Sequence, residues 1–323
     1  MANYPQLDDI QGVWKMKDIS DARKSGLWRY IGQRAVFAGG NEGDVGGSNV
    51  MDYVTIATAG NASDFGNLQG AYEAAGGFGS HTRAFFASSA SPSRVIDFVQ
   101  IDTTGNSADF GDMATGAFFR GGAASSTRGL FSGGDGSPDI NNIEYITMAT
   151  LGDGTDFGDL TVARRNHGNH SSSPTRACFT GGQVPASQNV IDYVEIATTG
   201  NALDFGDLTA ATGSVSSCGS STRGITGAGY VSAAVSTAQF ITIASQGNAN
   251  NFGDLTARYG AAAGSNSVRA LWGGGNTVPA YSNVVESMEI ATGGAAPDFG
   301  NLTEARGNVG CGTNGHGGLN NGI

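Results

Sequence analysis

The chain is poor in the features that define several protein classes. It has only three cysteines among 323 residues, an odd number with no close pairing, so neither a disulfide framework nor a cysteine metal knuckle is expected. No stretch approaches the roughly 18 apolar residues of a transmembrane helix, and the first residues lack the basic and apolar segments of a secretion signal. We therefore expect neither membrane insertion nor signal-directed secretion.

Charge is also scarce, and it is unevenly distributed. Asp, Glu, Lys and Arg make up 14% of the chain, and the net charge is −11. Residues 1–33 contain all three lysines and carry five basic and four acidic side chains, whereas the rest carries 12 basic and 24 acidic ones. Because so acidic a body repels phosphate, we expect no nucleic-acid partner, while a neutral sugar or a protein stays open.

What the chain has instead is a cassette that occurs six times, at intervals of 45 to 48 residues. Each copy ends in Asp-Phe-Gly, or Asn-Phe-Gly in the fifth, and the phenylalanines are Phe65, Phe110, Phe157, Phe205, Phe252 and Phe299. A period of this size marks a propeller blade or a solenoid unit. A kinase motif would occur once, beside a His-Arg-Asp loop and a strand lysine. We therefore interpret the tripeptide as architecture, with each Phe packed between blades.

Each cassette has the pattern of four short strands. An Arg opens an apolar strand that ends in small residues (34–40), and a β-branched, alternating strand follows (190–197). A Gly-Asn turn suited to positive φ leads into the Asp-Phe-Gly strand. The fourth segment is built mostly of Gly, Ala, Ser and Cys, as at 214–219. Such small residues fit where the innermost strands of radially arranged sheets crowd around an axis.

The predicted fold is all-β: a six-bladed propeller of four-stranded blades over residues 34–323, preceded by a short, partly helical leader over residues 1–33. The last small-residue segment, 305–314, has no repeat after it. We expect it to supply the inner strand of the first blade and so to close the ring. The strand order and the Gly-Gly pairs at 39–40, 133–134, 181–182 and 273–274 resemble the kelch repeat, although Phe replaces the outer-strand tryptophan of kelch blades.

The loops between the second and third strands vary in length, so specificity is expected at their end of the blades. Aromatic rings stack on sugar faces, and arginine can fork to carboxylates or sugar hydroxyls. The candidate ligand contacts at this end are Phe118, Phe119, Arg120, Arg164, Arg165, Tyr230, Tyr259 and Tyr281. We expect them to bind a glycan or a protein.

Catalytic, metal and cofactor sites are not indicated by the sequence. The arginines that open the second strands are interpreted as braces to an Asp or to a backbone carbonyl. Asp-x-x-Asp steps such as Asp109 and Asp112 are interpreted as turn caps, with calcium binding left open. His167 and His170 would point to opposite faces of a strand, which disfavours a shared metal. Dispersed catalytic carboxylates leave a glycosidase open, but we expect no enzyme.

The leader does not fit the repeat. Trp14 and Trp28 flank a segment in which Met16, Ile19 and Arg23 follow the spacing of a helix face. It is either a strap packed on the propeller or a docking peptide for another protein, since Trp and Arg are effective interface anchors.

A second resemblance concerns the whole chain. The Gly-Val-Trp and Gly-Leu-Trp steps of the leader precede repeats of the form Tyr-Val-Thr-Ile-Ala-Thr and Asp-Phe-Gly-Asp-Leu-Thr. This arrangement resembles structural proteins of tailed bacteriophages. The resemblance implies a virion component assembled in the host cytoplasm and docked to other virion proteins through residues 1–33. A tail fibre or appendage that adheres to the host is the favoured role. A capsid decoration, a collar or baseplate protein, a polysaccharide-degrading enzyme and a homo-oligomeric state stay open.

Overall fold

The computed structural model describes residues 34–43, 46–73, 76–87, 94–168 and 171–319. All described residues lie in one compact unit of the chain, Gly32–Ile323. The predicted helical segment and the predicted docking residues lie outside the described residues; these are Trp14, Met16, Ile19, Arg23 and Trp28.

The described residues form strands and no helix, and the strands build six four-stranded antiparallel blades. Blade one contains β1 (Arg34–Ala38), β2 (Ser48–Thr55), β3 (Ser63–Tyr72) and β27 (Gly310–Thr313). Blade two contains β4 (Gly76–Gly79), β5 (Arg83–Ala87), β6 (Val95–Gln100) and β7 (Ala108–Asp112). Blade three contains β8 (Gly121–Ala124), β9 (Arg128–Asp135), β10 (Asp139–Thr147) and β11 (Thr155–Asp159).

The other three blades repeat this plan with small additions. Blade four contains β12 (Ser171–Ser172), β13 (Arg176–Thr180), β16 (Val190–Glu195), β17 (Leu203–Asp207) and a hairpin of β14 (Gln183–Val184) and β15 (Ala186–Ser187). Blade five contains β18 (Ser216–Gly219), β19 (Arg223–Gly227), β20 (Val235–Thr242) and β21 (Asn250–Arg258). Blade six contains β22 (Ala262–Ser265), β23 (Arg269–Gly273), β24 (Val284–Glu289) and β26 (Asp298–Asn301), and its turn strand β25 (Gly294–Ala295) pairs in parallel with β21.

The blades close into a ring, which confirms the predicted six-bladed propeller. Each inner strand contacts the inner strands of both neighbouring blades, in the order β27, β4, β8, β12, β18, β22 and back to β27. The C-terminal strand β27 pairs with β1, with Ala35 opposite Thr313 and Ala38 opposite Gly310. Gly, Ala, Ser and Cys dominate these inner strands, whose residues are buried on every side, because larger side chains would clash at the axis.

The apolar core lies between the blades. Phe65 of blade one, for example, packs in one cluster with Ala84 and Phe86 of blade two. The cassette phenylalanines of five blades are no more than 3% exposed, and Phe252 is half-buried. The predicted role of the Phe as an anchor between blades is confirmed.

The glycine of each cassette permits close contact between neighbouring blades. Gly66 has φ of 139° and follows a register shift in the pairing of β2 with β3. A side chain at Gly66 would collide with the carbonyl of Gly105 in the turn of blade two. The asparagine of the Gly-Asn turn completes this contact, since Asn106 Oδ1 accepts a hydrogen bond from the backbone nitrogen of Asn67 at 3.0 Å. Between blades three and four, Asn201 Oδ1 accepts the equivalent bond from the nitrogen of Asp159 at 3.1 Å. The turn therefore links blades, a role that its turn propensity does not predict.

The six arginines that open the second strands form the predicted carbonyl braces. Arg128 donates from Nη1 to the carbonyl oxygen of Ile196 in the next blade at 2.8 Å, and its guanidinium lies 4.3 Å from the centre of the Tyr145 ring. The equivalent acceptors of the other five arginines are the carbonyls of Ile101, Met148, Ile243, Ile290 and Ile56. The last of these joins Arg269 of blade six to blade one, so the braces also close the ring.

Candidate ligand-binding site

The central channel is closed at one end by the residues that follow β27. His316 Nε2 donates a hydrogen bond to the carbonyl of Gly79 at 2.7 Å, and the nitrogen of Gly317 donates to the carbonyl of Gly219 at 3.1 Å. A side chain at Gly318 would collide with the carbonyl of Ala124. These three carbonyls belong to the last residues of the inner strands of blades two, five and three. We call this end, which also carries the arginine braces, the closed face.

At the opposite end, the open face, the inner strands begin at a ring of residues in the left-handed conformation. Phe119, Asn166, Ser214, Gly260 and Asn308 have φ between 49° and 61° and lead into blades three, four, five, six and one. Asn166 donates a backbone hydrogen bond to the carbonyl of Phe119, Gly260 donates to that of Ser214, and Asn308 donates to that of Gly260. The equivalent residues of blade two lie outside the described residues.

This ring borders a cavity of about 50 Å³ at the channel mouth. Its lining consists of the five left-handed residues and of the residue that follows each of them, namely Arg120, His167, Val215, Ala261 and Val309. The lining thus combines apolar walls with a guanidinium, an imidazole and the polar side chains of Asn166, Ser214 and Asn308. No carboxylate is among these lining residues.

The predicted aromatic contacts form two groups on the open face. Phe118 and Phe119 are half-buried, with ring centres 6.2 Å apart, and Phe119 also lines the mouth cavity. Phe118 is held by backbone hydrogen bonds with Asp135, at the end of β9. The loop between blades two and three therefore fixes one aromatic group beside the channel.

The second group consists of Tyr230, Tyr259 and Tyr281, in the loops of blades five and six, and we call it the tyrosine cluster. The rings of Tyr230 and Tyr259 meet edge to face at 5.1 Å, and all three residues are half-buried. Partial burial, together with the nearby hydroxyls of Tyr281 and Tyr230, raises the pKa of Tyr259. Exposed Val231 and Val278 lie in the same loops. The structure thus brings together three of the predicted residues.

The predicted arginines differ in what they can contact. Arg165 is at the surface, where its Nη1 pairs with Asp135 Oδ2 at 2.7 Å and Asp139 Oδ1 at 3.1 Å. Arg164 is buried: its Nη1 lies 2.7 Å from Asp192 Oδ2, and both side chains are 0% exposed. Arg164, a predicted ligand contact, is thus enclosed by the protein, where its charge pairs with a buried carboxylate.

Arg120 is also buried rather than exposed. Its Nη2 donates to Glu144 Oε1 at 3.1 Å and to the carbonyl oxygen of Thr115 at 2.8 Å, and only 4% of the residue is exposed. Burial lowers the pKa of Arg120, while Glu144 opposes that shift. Unlike Arg164, Arg120 lines the mouth cavity.

Sequence reasoning missed a buried polar position on the third strand of every blade. The residues at this position are Asp52, Asp97, Glu144, Asp192, Gln239 and Glu286, and each is at most 5% exposed. Arg306, Arg120, Arg164 and Arg258 pair with four of them, whereas Asp97 accepts from Tyr72, Gln69 and Ser107, and Gln239 from Thr209. The sequence did indicate this position, because five of the six cassettes have an acidic residue there.

His167, which the sequence analysis considered only as a disfavoured metal ligand, lies at the mouth cavity. It is 3% exposed, its Nε2 lies 2.8 Å from Ser132 Oγ, and it lines the mouth cavity. Burial and the charges of Arg164 and Arg120 lower the pKa of His167 well below its ordinary value, so the ring is neutral. The sequence feature that distinguishes His167 is its position in the repeat, because Val or Ala occupies the equivalent position of blades five, six and one.

Among the described residues, no three His, Cys, Asp or Glu side chains form a group that could hold a metal ion. Asp109 Oδ1 accepts a hydrogen bond from the nitrogen of Gly111, as expected of a turn cap. The three cysteines are buried, and burial raises the pKa of Cys178 to about 12, so its thiol is not ionised at neutral pH. In the described part of the chain, no helix is long and apolar enough to cross a membrane.

Comparisons with known proteins do not assign the chain to a family. No protein-family model matches it, and no curated protein matches it. The structure establishes a six-bladed β-propeller. Its channel is closed at one face, and at the other face it has a small cavity with polar and apolar lining residues.

Proposed function

We propose that this protein is a structural component of a tailed-bacteriophage virion, a tail fibre or appendage, and that its propeller binds a glycan of the host surface. The open face is the binding surface, and the tyrosine cluster is its principal contact. Residues 1–33 attach the protein to other virion proteins.

The observation that carries the proposal is the tyrosine cluster. Tyr230, Tyr259 and Tyr281 come from three different loops, yet they lie close together, and each is half-buried. A tyrosine offers an apolar face for a sugar ring and a hydroxyl for its hydroxyl groups, and it loses little side-chain entropy on binding. Exposed Val231 and Val278 extend the apolar surface. This combination favours a ligand with alternating apolar faces and polar edges, as sugars have.

The rest of the structure supports the open face as the one used. At the closed face the chain itself fills the channel, and the described turns repeat from blade to blade apart from the turn of blade six, which contains β25. At the open face the loops differ in length, and blade four adds the hairpin β14–β15 there. Variation of loops on a repeated scaffold is typical of a recognition surface. The virion setting rests on the sequence resemblance alone.

Glycan binding is tested with the full-length chain on an array of bacterial surface polysaccharides, followed by calorimetry on the best ligand. Tyr259→Leu removes one ring of the tyrosine cluster and is expected to weaken binding about three- to tenfold. Leu203→Ser is the matched control, because Leu203 is 58% exposed on the closed face, and it should leave affinity unchanged. Equal effects of the two substitutions, or no glycan bound at all, would contradict the proposal.

The virion setting needs its own experiment. Gold-labelled antibody against residues 34–323 should decorate the distal tail of intact particles. Label on the head or collar would assign the protein a structural role without a receptor. Release of reducing sugar from a bound polysaccharide would instead show an enzyme.

A further inference from the structure

The two aromatic groups of the open face lie on opposite sides of the channel mouth. Phe118 pairs through its backbone with Asp135, and Tyr259 pairs in the same way with Asn276. The two aromatic residues hold equivalent positions of the repeat, each three residues before an inner strand, β8 of blade three and β22 of blade six. In the order of the inner strands, blades four and five separate these blades on one side, and blades one and two separate them on the other. The ring therefore places Phe118 and Tyr259 across the mouth from each other.

The backbone of Phe119 is unusual for an aromatic residue. Its φ of 56° lies in the left-handed region, where a bulky side chain is rare and strained. Gly260, Asn166 and Asn308 hold equivalent positions of the ring and belong to the residue types that adopt this conformation most readily. Blade packing therefore does not require an aromatic ring at this position. Strain of this kind is typical of functional sites, and Phe119 also lines the mouth cavity.

Neutral polar groups lie between the two aromatic sides. Asn166, Ser214 and Asn308 line the mouth cavity, and each is half-buried, so a ligand at the mouth can reach them. Asn166 Nδ2 donates a hydrogen bond to Gln183 Oε1 at 3.2 Å. A side-chain amide has two donor hydrogens and an oxygen with two lone pairs, so this single bond leaves capacity for other partners. Amide and hydroxyl groups of this kind suit the hydroxyl groups of a sugar.

The charges around the mouth disfavour an anionic ligand. The two predicted arginines of blade three and of the rim, Arg120 and Arg165, are already paired with carboxylates. On the same face, where blade six meets blade one, the carboxyl group of Glu304 is hydrogen-bonded to that of Glu42. Burial and the Glu42 carboxylate raise the pKa of Glu304. Because like charges already oppose each other here, a ligand without negative charge is favoured.

We propose that the ligand is a linear, uncharged oligosaccharide segment that crosses the channel mouth. One of its sugar rings lies on Phe118 and Phe119, and another lies on the tyrosine cluster. The sugar units between them place hydroxyl groups against Asn166, Ser214 and Asn308. The inference rests on the proposed glycan function and specifies it: the phenylalanine pair is a second subsite, and the ligand is long enough to reach both sides of the mouth.

The length of the ligand is the first test. The polysaccharide that binds best on the array is cut into oligosaccharides of increasing length, and each is titrated into the full-length chain by calorimetry. The affinity should rise by about three- to tenfold at the length that reaches the second aromatic group, and it should then stay constant. An affinity that does not change from the disaccharide upward would overturn the inference. A best ligand with carboxylate or phosphate groups would also overturn it.

The chain itself suggests the matched variant. Phe119→Asn copies Asn166 and Asn308, which this fold accommodates at the equivalent positions, and it relieves the strained backbone. We expect a melting temperature equal to or above that of the wild type, together with about three- to tenfold weaker binding of the long oligosaccharide and unchanged binding of the shortest one. A purely structural role of Phe119 would instead lower the melting temperature and leave both affinities unchanged. Phe118→Leu, which keeps an apolar side chain at a half-buried position, should have the same effect on affinity.

Comparison with Tyr259→Leu separates this inference from the proposed function. Tyr259→Leu should weaken the short and the long oligosaccharide alike, because both use the tyrosine cluster, whereas Phe119→Asn should weaken only the long one. If Tyr259→Leu weakens binding and neither phenylalanine variant does, the proposed function stands and the second subsite is wrong. If no glycan binds at all, both fail. Leu203→Ser serves again as the control and should change neither affinity.

Discussion

The closed and open faces of the propeller differ in how strictly they repeat. On the closed face, all six blades carry an arginine that donates to a carbonyl of the next blade. On the open face, buried arginines serve only four of the six third-strand positions, and Arg120 reaches its carboxylate from a different place in the sequence than Arg164, Arg258 and Arg306 do.

This difference separates architecture from candidate function. An interaction present in every blade is needed to hold neighbouring blades together, and its loss lowers the stability of the fold in whichever blade it is removed. An interaction that changes from blade to blade shows that several solutions satisfy packing. Positions such as those of Arg120 and His167, where other blades have Val or Ala, are therefore not fixed by blade packing alone. Substitutions on the two faces test this view.

The largest effect is expected for a buried ion pair of the open face. Arg306 and Asp52 are both 0% exposed and pair between blade six and blade one. Arg306→Ala would leave the Asp52 carboxylate buried with Thr303 as a remaining partner, which costs about 3–5 kcal/mol in the free energy of unfolding. Urea denaturation at pH 7 measures it. The double variant R306M/D52L should recover most of the loss; a single substitution that costs under about 1 kcal/mol would contradict the buried pair.

The segment that fills the channel predicts a pH dependence almost as large. Burial lowers the pKa of His316 from 6.5 to about 4, although its bond to Gly79 opposes this and His81 adds to it. In the unfolded chain the ring takes up a proton below about pH 6.5, whereas the folded protein takes it up only near pH 4. Stability is therefore present above pH 6.5 and lost as the pH falls toward 4, by up to about 3 kcal/mol.

Thermal and urea unfolding of the wild type and of His316→Gln at pH 7 and pH 4.5 check this prediction. The glutamine amide can donate to the Gly79 carbonyl but does not titrate. The variant should therefore lose clearly less stability than the wild type over this range. Parallel losses would show that His316 is not the group responsible.

A smaller effect is expected for a brace of the closed face. Arg128 is half-buried, and its loss removes one hydrogen bond to Ile196 and the contact with the Tyr145 ring. Arg128→Leu should lower the free energy of unfolding by about 1–2 kcal/mol. Arg128→Lys, which keeps a cation above the ring, should recover about half of this loss. A Lys variant as unstable as the Leu variant would show that the guanidinium bond dominates.

The smallest effect is expected at the surface of the closed face. Leu203→Ser alters an exposed residue at the start of β17 that belongs to no core cluster, so the free energy of unfolding should stay within about 0.5 kcal/mol. Calorimetric unfolding measures this. A larger loss would mean that the turns of this face contribute more than their exposure indicates.

The fold was predictable because its determinants repeat. Six copies of Asp-Phe-Gly, the small inner segments and the unmatched segment 305–314 are sufficient to predict six blades and the closing strand. The role of Asn201 was less accessible, because it bonds to the preceding blade rather than within its own turn. Contacts between blades are set by the packing of sheets, which a period in the sequence does not describe.

The candidate site was predictable only in part. The loops were expected to bring aromatic residues to one face, and the structure places Tyr230, Tyr259 and Tyr281 together there. The burial of Arg120 and Arg164 was not predictable, because both lie among loop residues in the sequence. Each is buried with a carboxylate that lies 24 residues further along the chain for Arg120 and 28 for Arg164. The third strand of each blade is covered by a neighbouring blade on both of its faces, so a charged residue on either face can be buried. The alternation of apolar and polar residues along the strand therefore did not indicate which charged side chains are buried.

The closing of blade one by β27 has a consequence for the time course of folding. Ala35 pairs with Thr313, so the inner edge of the first blade lacks its partner until nearly the whole chain has left the ribosome. The other blades have all four strands within one continuous segment and can form as they are made. The first blade to be synthesised is therefore the last to be completed, and until then its unpaired β1 edge is the place where premature association is most expected.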